Sequence, residues 1–265
     1  MRIQALPLPA RPIARLPAPS ASAAPRRPLI IRVGKALRGL FDRLIAASSL
    51  VPNDPVLDMR DFAWTEGLRA EWQAIRDEAR AVAMDQGAAP SLSDISPDHR
   101  TIAAPEMWQS FFLHGYGYPI PENLARCPRT AALVARVPGL NSAFFSILAP
   151  GTHIPAHRGV TKGLVTCHLG LIVPQDGDVR MRVGDRFVRW AEGETLVFDD
   201  TYDHEVWNDS AGTRVVLLIQ FERPLAQPGR WIADLFLGFV RRSPFVQEAR
   251  ANIHAWNRAM SSLDR

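Results

Sequence analysis

Between Ala143 and Glu222 the chain is cut at short intervals by turn residues, and this pattern restricts the fold more than any other feature. Segments 143–148, 164–173, 178–183, 186–190, 195–199, 203–208 and 213–222 are apolar or alternating and read as strands. Between them lie Gln175-Asp176-Gly177, Gly184-Asp185, Glu192-Gly193 and Ser210-Ala211-Gly212, all turn-forming. Many short strands leave many edges, and closing them into a double-sheet jelly roll or barrel protects those edges. The expected fold class is therefore mainly β, with a barrel core over 106–224.

The flanks have other periods. Residues 1–28 hold seven prolines, seven alanines, five arginines and no acid, a composition that cannot build a core and reads as a disordered tail. In residues 29–50, Ile30, Val33, Leu37, Leu40, Phe41 and Leu44 recur at helical spacing between Arg32, Lys35, Arg38 and Arg43. Such a basic amphipathic helix can lie on an anionic membrane surface, but an apolar stripe more often packs on the body, and packing is the expectation. Residues 29–105 read as a helical N-terminal region. Its strongest helix starts at an N-cap Thr65, carries Leu68, Trp72, Ile75, Ala79 and Val82 on one face, and stops near Gln86-Gly87. Prolines 90, 97 and 105 mark a loop, and Trp108–Leu113 a strand entering the barrel. A brief helix is expected within 122–137, and 225–265 turns helical again around Trp231, Leu235, Phe236 and Phe239.

Charge narrows the function classes. Residues 1–50 carry nine Lys/Arg and one acid, so the net charge of +4 conceals a body that is acidic overall. The body is therefore not expected to bind nucleic acid. Two cysteines, Cys127 and Cys167, are too few for a disulfide framework and suit a reducing, cytoplasmic setting. No apolar run reaches transmembrane length, and the opening residues lack a secretory apolar region.

Side chains two apart on a strand share a face. Thr166 and His168 form one such pair, His204, Val206 and Asn208 another row, and Arg214, Val216, Leu218 and Gln220 a third. If these rows line the interior, imidazoles and one guanidinium converge in an apolar cavity. Neutral imidazole suits first-row divalent metals, and a buried arginine calls for an anionic ligand such as a carboxylate. His99, His114, His153 and His254 have no such context and read as structural or loop residues. Asp199 and Asp200 read as turn-capping or imidazole-orienting groups, and Trp190 and Trp207 as barrel packing.

The stretches Pro150–Gly159, His168–Pro174, Trp190–Asn208 and Arg214–Pro224 resemble, in order and spacing, the aspartyl/asparaginyl β-hydroxylase family of Fe(II)/2-oxoglutarate-dependent dioxygenases. The resemblance runs from Trp108 to Pro224 and implies a double-stranded β-helix of the cupin-like kind. It implies His157 and His204 as iron ligands, with Gly159 standing where most 2-oxoglutarate oxygenases place a carboxylate. Lipid A hydroxylases tend to keep an aspartate there, which sets this chain apart from them. Arg214 and Ser146 correspond to the pair that holds the distal carboxylate of 2-oxoglutarate, and His168 to the histidine beside its C1 carboxylate. Thr166 stands where the family usually has an arginine for that carboxylate, with Lys162 or Arg158 as substitutes. The implied cofactors are Fe(II), 2-oxoglutarate and O₂. The implied activity is hydroxylation of an unactivated C–H in an Asp/Asn-type side chain or a small molecule. The competing readings are a lipid acyl-chain hydroxylase held peripherally at a membrane by 29–50, and a catalytically silent metal-binding or sensor barrel.

Overall fold

Strands with apolar residues at every position need cover on both faces, whereas alternating strands need it on one. Both kinds occur here, in two sheets. The computed structural model describes residues 39–85, 89–96, 102, 104 and 106–263. The tail expected over 1–28, most of the basic helix 29–50, the helix stop at Gln86-Gly87 and much of the proline loop lie outside these residues.

The larger sheet has seven strands, and every pairing in it is antiparallel. Its order is β1 (Val56–Leu57), β9 (Thr195–Phe198), β6 (Leu164–Ile172), β11 (Arg214–Glu222), β4 (Leu140–Leu148), β2 (Trp108–Gly115) and β3 (Tyr118–Pro119). The smaller sheet runs β5 (His153–His157), β10 (His204–Asp209), β7 (Asp178–Val183) and β8 (Arg186–Arg189), also antiparallel.

In β7, Val179, Met181 and Val183 are buried while Arg180 and Arg182 point outward, so the smaller sheet is solvated on one side. Its inner face packs on the inner face of the larger sheet: Val179, Met181, Val183 and Val206 share one apolar cluster with Phe144, Leu148, Phe198 and Val216. The outer face of the larger sheet, with Phe145, Cys167, Leu169, Leu217 and Phe221, is covered by Phe62, Leu68, Ile75 and Ala79 from the N-terminal helices. The result is a double-stranded β-helix with one helix-backed wall.

The helices depart in detail from the expected ones. A helix occupies 39–47 (α1). Leu40 and Leu44 on it are 47% and 41% exposed while Ile45 is buried, so this part of the apolar stripe is not packed on the body. The single helix expected from Thr65 is broken at Glu71 into α2 (Thr65–Ala70) and α3 (Trp72–Ala79), followed by a wider turn over Arg80–Asp85. Thr65 is its first helical residue rather than its cap, and its hydroxyl donates to the Phe62 carbonyl at 2.8 Å. A short α4 (Leu92–Ile95) follows, and the brief helix near 122–137 is two, α5 (Pro121–Arg126) and α6 (Pro128–Val134), each opened by a proline. The chain closes with α7 (Gly229–Arg241) and α8 (Pro244–Leu263). Among the described residues no helix is long and apolar enough to cross a membrane.

Candidate metal and carboxylate site

Strand register places the two histidines side by side. His157 ends β5 and pairs directly with His204, which opens β10, and their ring centroids lie 4.1 Å apart. The Nδ1 of His157 lies 2.9 Å from the Pro155 carbonyl, and that of His204 lies 3.1 Å from the Tyr202 carbonyl. A carbonyl only accepts, so each Nδ1 carries the proton and each Nε2 keeps its lone pair. Burial, and for His157 also the neighbouring His204, holds both imidazoles below their usual range, His157 down to about 4. Two neutral imidazoles with fixed tautomers are what a divalent transition metal requires of its ligands.

Gly159 accounts for the missing carboxylate. A Cβ at this position would sit 1.9 Å from Asp200 Oδ1, so the Asp200 side chain occupies the space that a residue-159 side chain would need. Asp200 is buried; its Oδ2 accepts from Thr166 Oγ1 at 3.1 Å and Gln220 Nε2 at 3.0 Å, while Oδ1 has no protein partner. Burial, with Asp199 beside it, pushes this carboxyl up to about 6. Among the described residues no group of three His, Cys, Asp or Glu side chains converges for metal binding, which leaves His157 and His204 as a two-histidine pair.

Asp199 does different work. It accepts from Lys162 Nζ at 2.6 Å, pairs with the buried Arg223 guanidinium, and caps its own turn through the Thr201 N–H at 3.0 Å. These bonds tie the loop before His204 to β11's end. They also occupy Lys162, and Arg158 is drawn toward Asp203 at 3.4 Å. Both cations suggested as stand-ins at Thr166 are engaged by acids of this loop.

The inner face of the larger sheet supplies the second half of the site. Arg214 is 2% exposed, and among the described residues no carboxylate pairs with it. Its Nη1 reaches the Ser146 carbonyl at 3.4 Å, its Cζ lies 4.8 Å from the centre of the Trp190 ring, and its Nε has no partner. Burial pulls this guanidinium down to about 9. Ser146 accepts from Trp108 Nε1 at 3.0 Å, which leaves its hydroxyl proton available.

Trp190 is more than packing. Its indole N–H donates to His168 Nδ1 at 3.2 Å, which leaves the proton on His168 Nε2, a buried atom without a partner. Burial and Arg214 hold His168 far below its usual range, so it is neutral. One indole therefore sets the His168 tautomer and covers the face of Arg214. Nothing in the linear sequence pairs Trp190 with His168; the contact depends on the turn after β8. His153, by contrast, belongs to strand β5 rather than a loop, where it meets Glu205 at 2.8 Å and stacks on Trp207 at the surface.

The residues present fit a chelated metal with an organic dianion. His168 Nε2, Arg214 Nε and Asp200 Oδ1 are buried and unsatisfied, and such groups cost about 1–3 kcal/mol each when left unpaired. Two are cationic or neutral donors on one sheet, suited to carboxylates.

Comparison with known proteins gives the family. A family model described as aspartyl/asparaginyl beta-hydroxylase matches residues 69–224, including α3 and extending beyond the motifs read from sequence. The chain is 41% identical over 207 residues to an ornithine lipid ester-linked acyl 2-hydroxylase of Rhizobium tropici, covering 78% of this chain and 74% of that one. It is 30% identical over 177 residues to the human aspartyl/asparaginyl beta-hydroxylase, covering 64% of this chain but 23% of that much longer protein. It is 36% identical over 126 residues to the human aspartate beta-hydroxylase domain-containing protein 2, covering 44% of this chain and 34% of that one.

Proposed function

We propose that this chain, which belongs to the aspartyl/asparaginyl β-hydroxylase family, is an Fe(II)/2-oxoglutarate-dependent dioxygenase that hydroxylates the acyl chain of a membrane lipid. The observation that carries the co-substrate is Arg214, a buried guanidinium without an acidic partner among the described residues. A ligand carboxylate offers that fork two parallel hydrogen bonds.

In this reading His157 and His204 hold Fe(II) through Nε2, and Asp200, which fills the room beside Gly159, keeps its Oδ1 free of protein partners for a bound ligand. Arg214 and the Ser146 hydroxyl take the distal carboxylate of 2-oxoglutarate. Thr166 is engaged by Asp200, so the C1 carboxylate falls to the His168 Nε2–H. When bound, the metal and the 2-oxo acid supply the O₂ activation that an unactivated C–H demands. The protein contributes orientation, charge compensation and an apolar surround of Phe198, Trp190 and Val216 that disfavours water.

The lipid substrate is favoured over an Asp/Asn side chain by the relatives. Identity is 41% over most of both chains with the lipid hydroxylase, against 30% over a quarter of the human protein. The silent-barrel reading is disfavoured by the unsatisfied buried donors, which a retired site has no reason to keep. The test is to incubate the full chain with Fe(II), 2-oxoglutarate and an acylated ornithine lipid, then weigh the lipid. Gain of one oxygen with matching succinate is expected. Oxygen appearing instead in an Asp-containing peptide would replace the lipid reading.

Trp190→Phe offers a finer check. Losing the donor to His168 Nδ1 frees the wrong tautomer, and one hydrogen bond is worth about 0.5–1.5 kcal/mol. The KM for 2-oxoglutarate is expected to rise roughly three- to tenfold with iron affinity unchanged. An unaltered KM would return Trp190 to packing.

A further inference from the structure

One exposed line of α7 is apolar where a solvated helix face is ordinarily polar. Trp231, Leu235 and Phe239 are spaced four apart along one line of the helix and are 68%, 65% and 64% exposed. The opposite line, Gly229, Ala233 and Leu237, is buried against the body. The helix is thus amphipathic twice over, with one apolar line inside and another facing out.

This ridge does not stand alone. The start of α7 is in contact with the end of α1: a Cβ on Gly229 would lie 2.3 Å from Ser48 Cβ, and the Gly229 N–H donates to Ser48 Oγ at 3.1 Å. Leu40 and Leu44, also exposed, lie on that helix. The loop that leaves His157 meets both helices. The Lys162 N–H donates to Asp42 Oδ1 of α1 at 3.0 Å, and a Cβ on Gly163 would lie 3.0 Å from Ala233 Cβ of α7. The two helices that carry the exposed apolar side chains therefore both rest on the loop that leaves the metal and carboxylate site.

We propose that α7, with the end of α1, is a docking face for an anionic lipid bilayer. Three features of the chain select a bilayer over a second copy of itself. Covering the ridge removes on the order of 400 Å² of side-chain surface, about half of what each partner buries in a standard protein interface. Exposed Arg230 and Arg242 flank its two ends and outnumber the one acid of the helix, exposed Asp234, as interfacial helices place cations beside their apolar face. The first fifty residues add nine Lys/Arg against one acid, a charge that complements anionic headgroups but repels a second copy. A helix lying in the headgroup plane would bring the rim loop of the site to the lipid. The inference concerns binding only, so it stands or falls apart from the proposed chemistry.

The test is sedimentation of the full chain, without iron or 2-oxoglutarate, with vesicles of phosphatidylcholine alone or mixed with phosphatidylglycerol. The protein is expected to pellet with the anionic vesicles and to be released by salt. The surface variant Trp231→Ser/Leu235→Ser/Phe239→Ser is expected to bind roughly tenfold or more weakly. His157→Ala, which removes the proposed chemistry, is expected to pellet like the parent. Equal pelleting of parent and ridge variant would overturn the proposal, as would a parent that stays in solution with both vesicles. A ridge-dependent dimer in place of vesicle binding would also overturn it and make the face a contact between copies.

Discussion

Arg214→Met is expected to abolish 2-oxoglutarate binding while making the empty protein more stable. The two effects have one origin. Arg214 is fully enclosed between Trp190 and the β4 backbone, and burial disfavours its charge enough to pull it down to about 9. No acid among the described residues offsets that charge, so the empty fold carries the desolvation of a lone cation. Methionine has similar length and fills the space without charge, and replacing buried ionic groups by apolar ones stabilises by about 1–4 kcal/mol in favourable cases. The bound state moves the other way. Removing one partner of a desolvated charge pair costs about 2–5 kcal/mol, roughly thirty- to several-thousand-fold in affinity. Thermal unfolding and a 2-oxoglutarate titration of the same variant check both signs. A variant that is less stable and still binds would show that Arg214 is a structural cation with a partner elsewhere.

The second large effect belongs to the histidines. His157→Ala or His204→Ala is each expected to lower Fe(II) affinity by about a hundredfold or more, since a pair reduced to one imidazole no longer chelates. Their Nδ1 bonds go to carbonyls two residues back in the chain, Pro155 and Tyr202, so these bonds tie no distant elements together. Folding should therefore survive both changes, as measured by circular dichroism. Stoichiometric iron in both single variants would defeat the pairing as a metal site.

Much of this arrangement is legible in the sequence. Strand alternation put Thr166, His168, Arg214 and Gln220 on inner faces because period two leaves no other choice once the outer residues are apolar. Turn residues marked nearly every strand boundary between 178 and 222. Strand β5 escaped because His153-Ile154-Pro155-Ala156-His157 contains a proline and has only one buried apolar side chain, which reads as loop; it is an edge strand, where proline is tolerated. The break at Glu71 was hidden because Leu68, Ile75, Ala79 and Val82 bury one face across it. Contacts made through space were beyond reach. Asp200 filling the room left by Gly159, and Trp190 fixing His168, join residues 41 and 22 positions apart, and no local pattern encodes either. The described part of α1 does rest on the body, through Ile45 and Asp42, but Leu40 and Leu44 of the predicted stripe stay exposed, since periodicity gives the direction of an apolar face and not what covers it.

The most direct test of the whole site is an anaerobic titration of Fe(II) and 2-oxoglutarate into the parent, His157→Ala and Arg214→Met proteins, followed by visible absorption. A weak charge-transfer band should form in the parent only when both components are present, and fail in both variants. Iron bound by the parent with no band, or an undiminished band in His157→Ala, would contradict a site built from this histidine pair and this arginine.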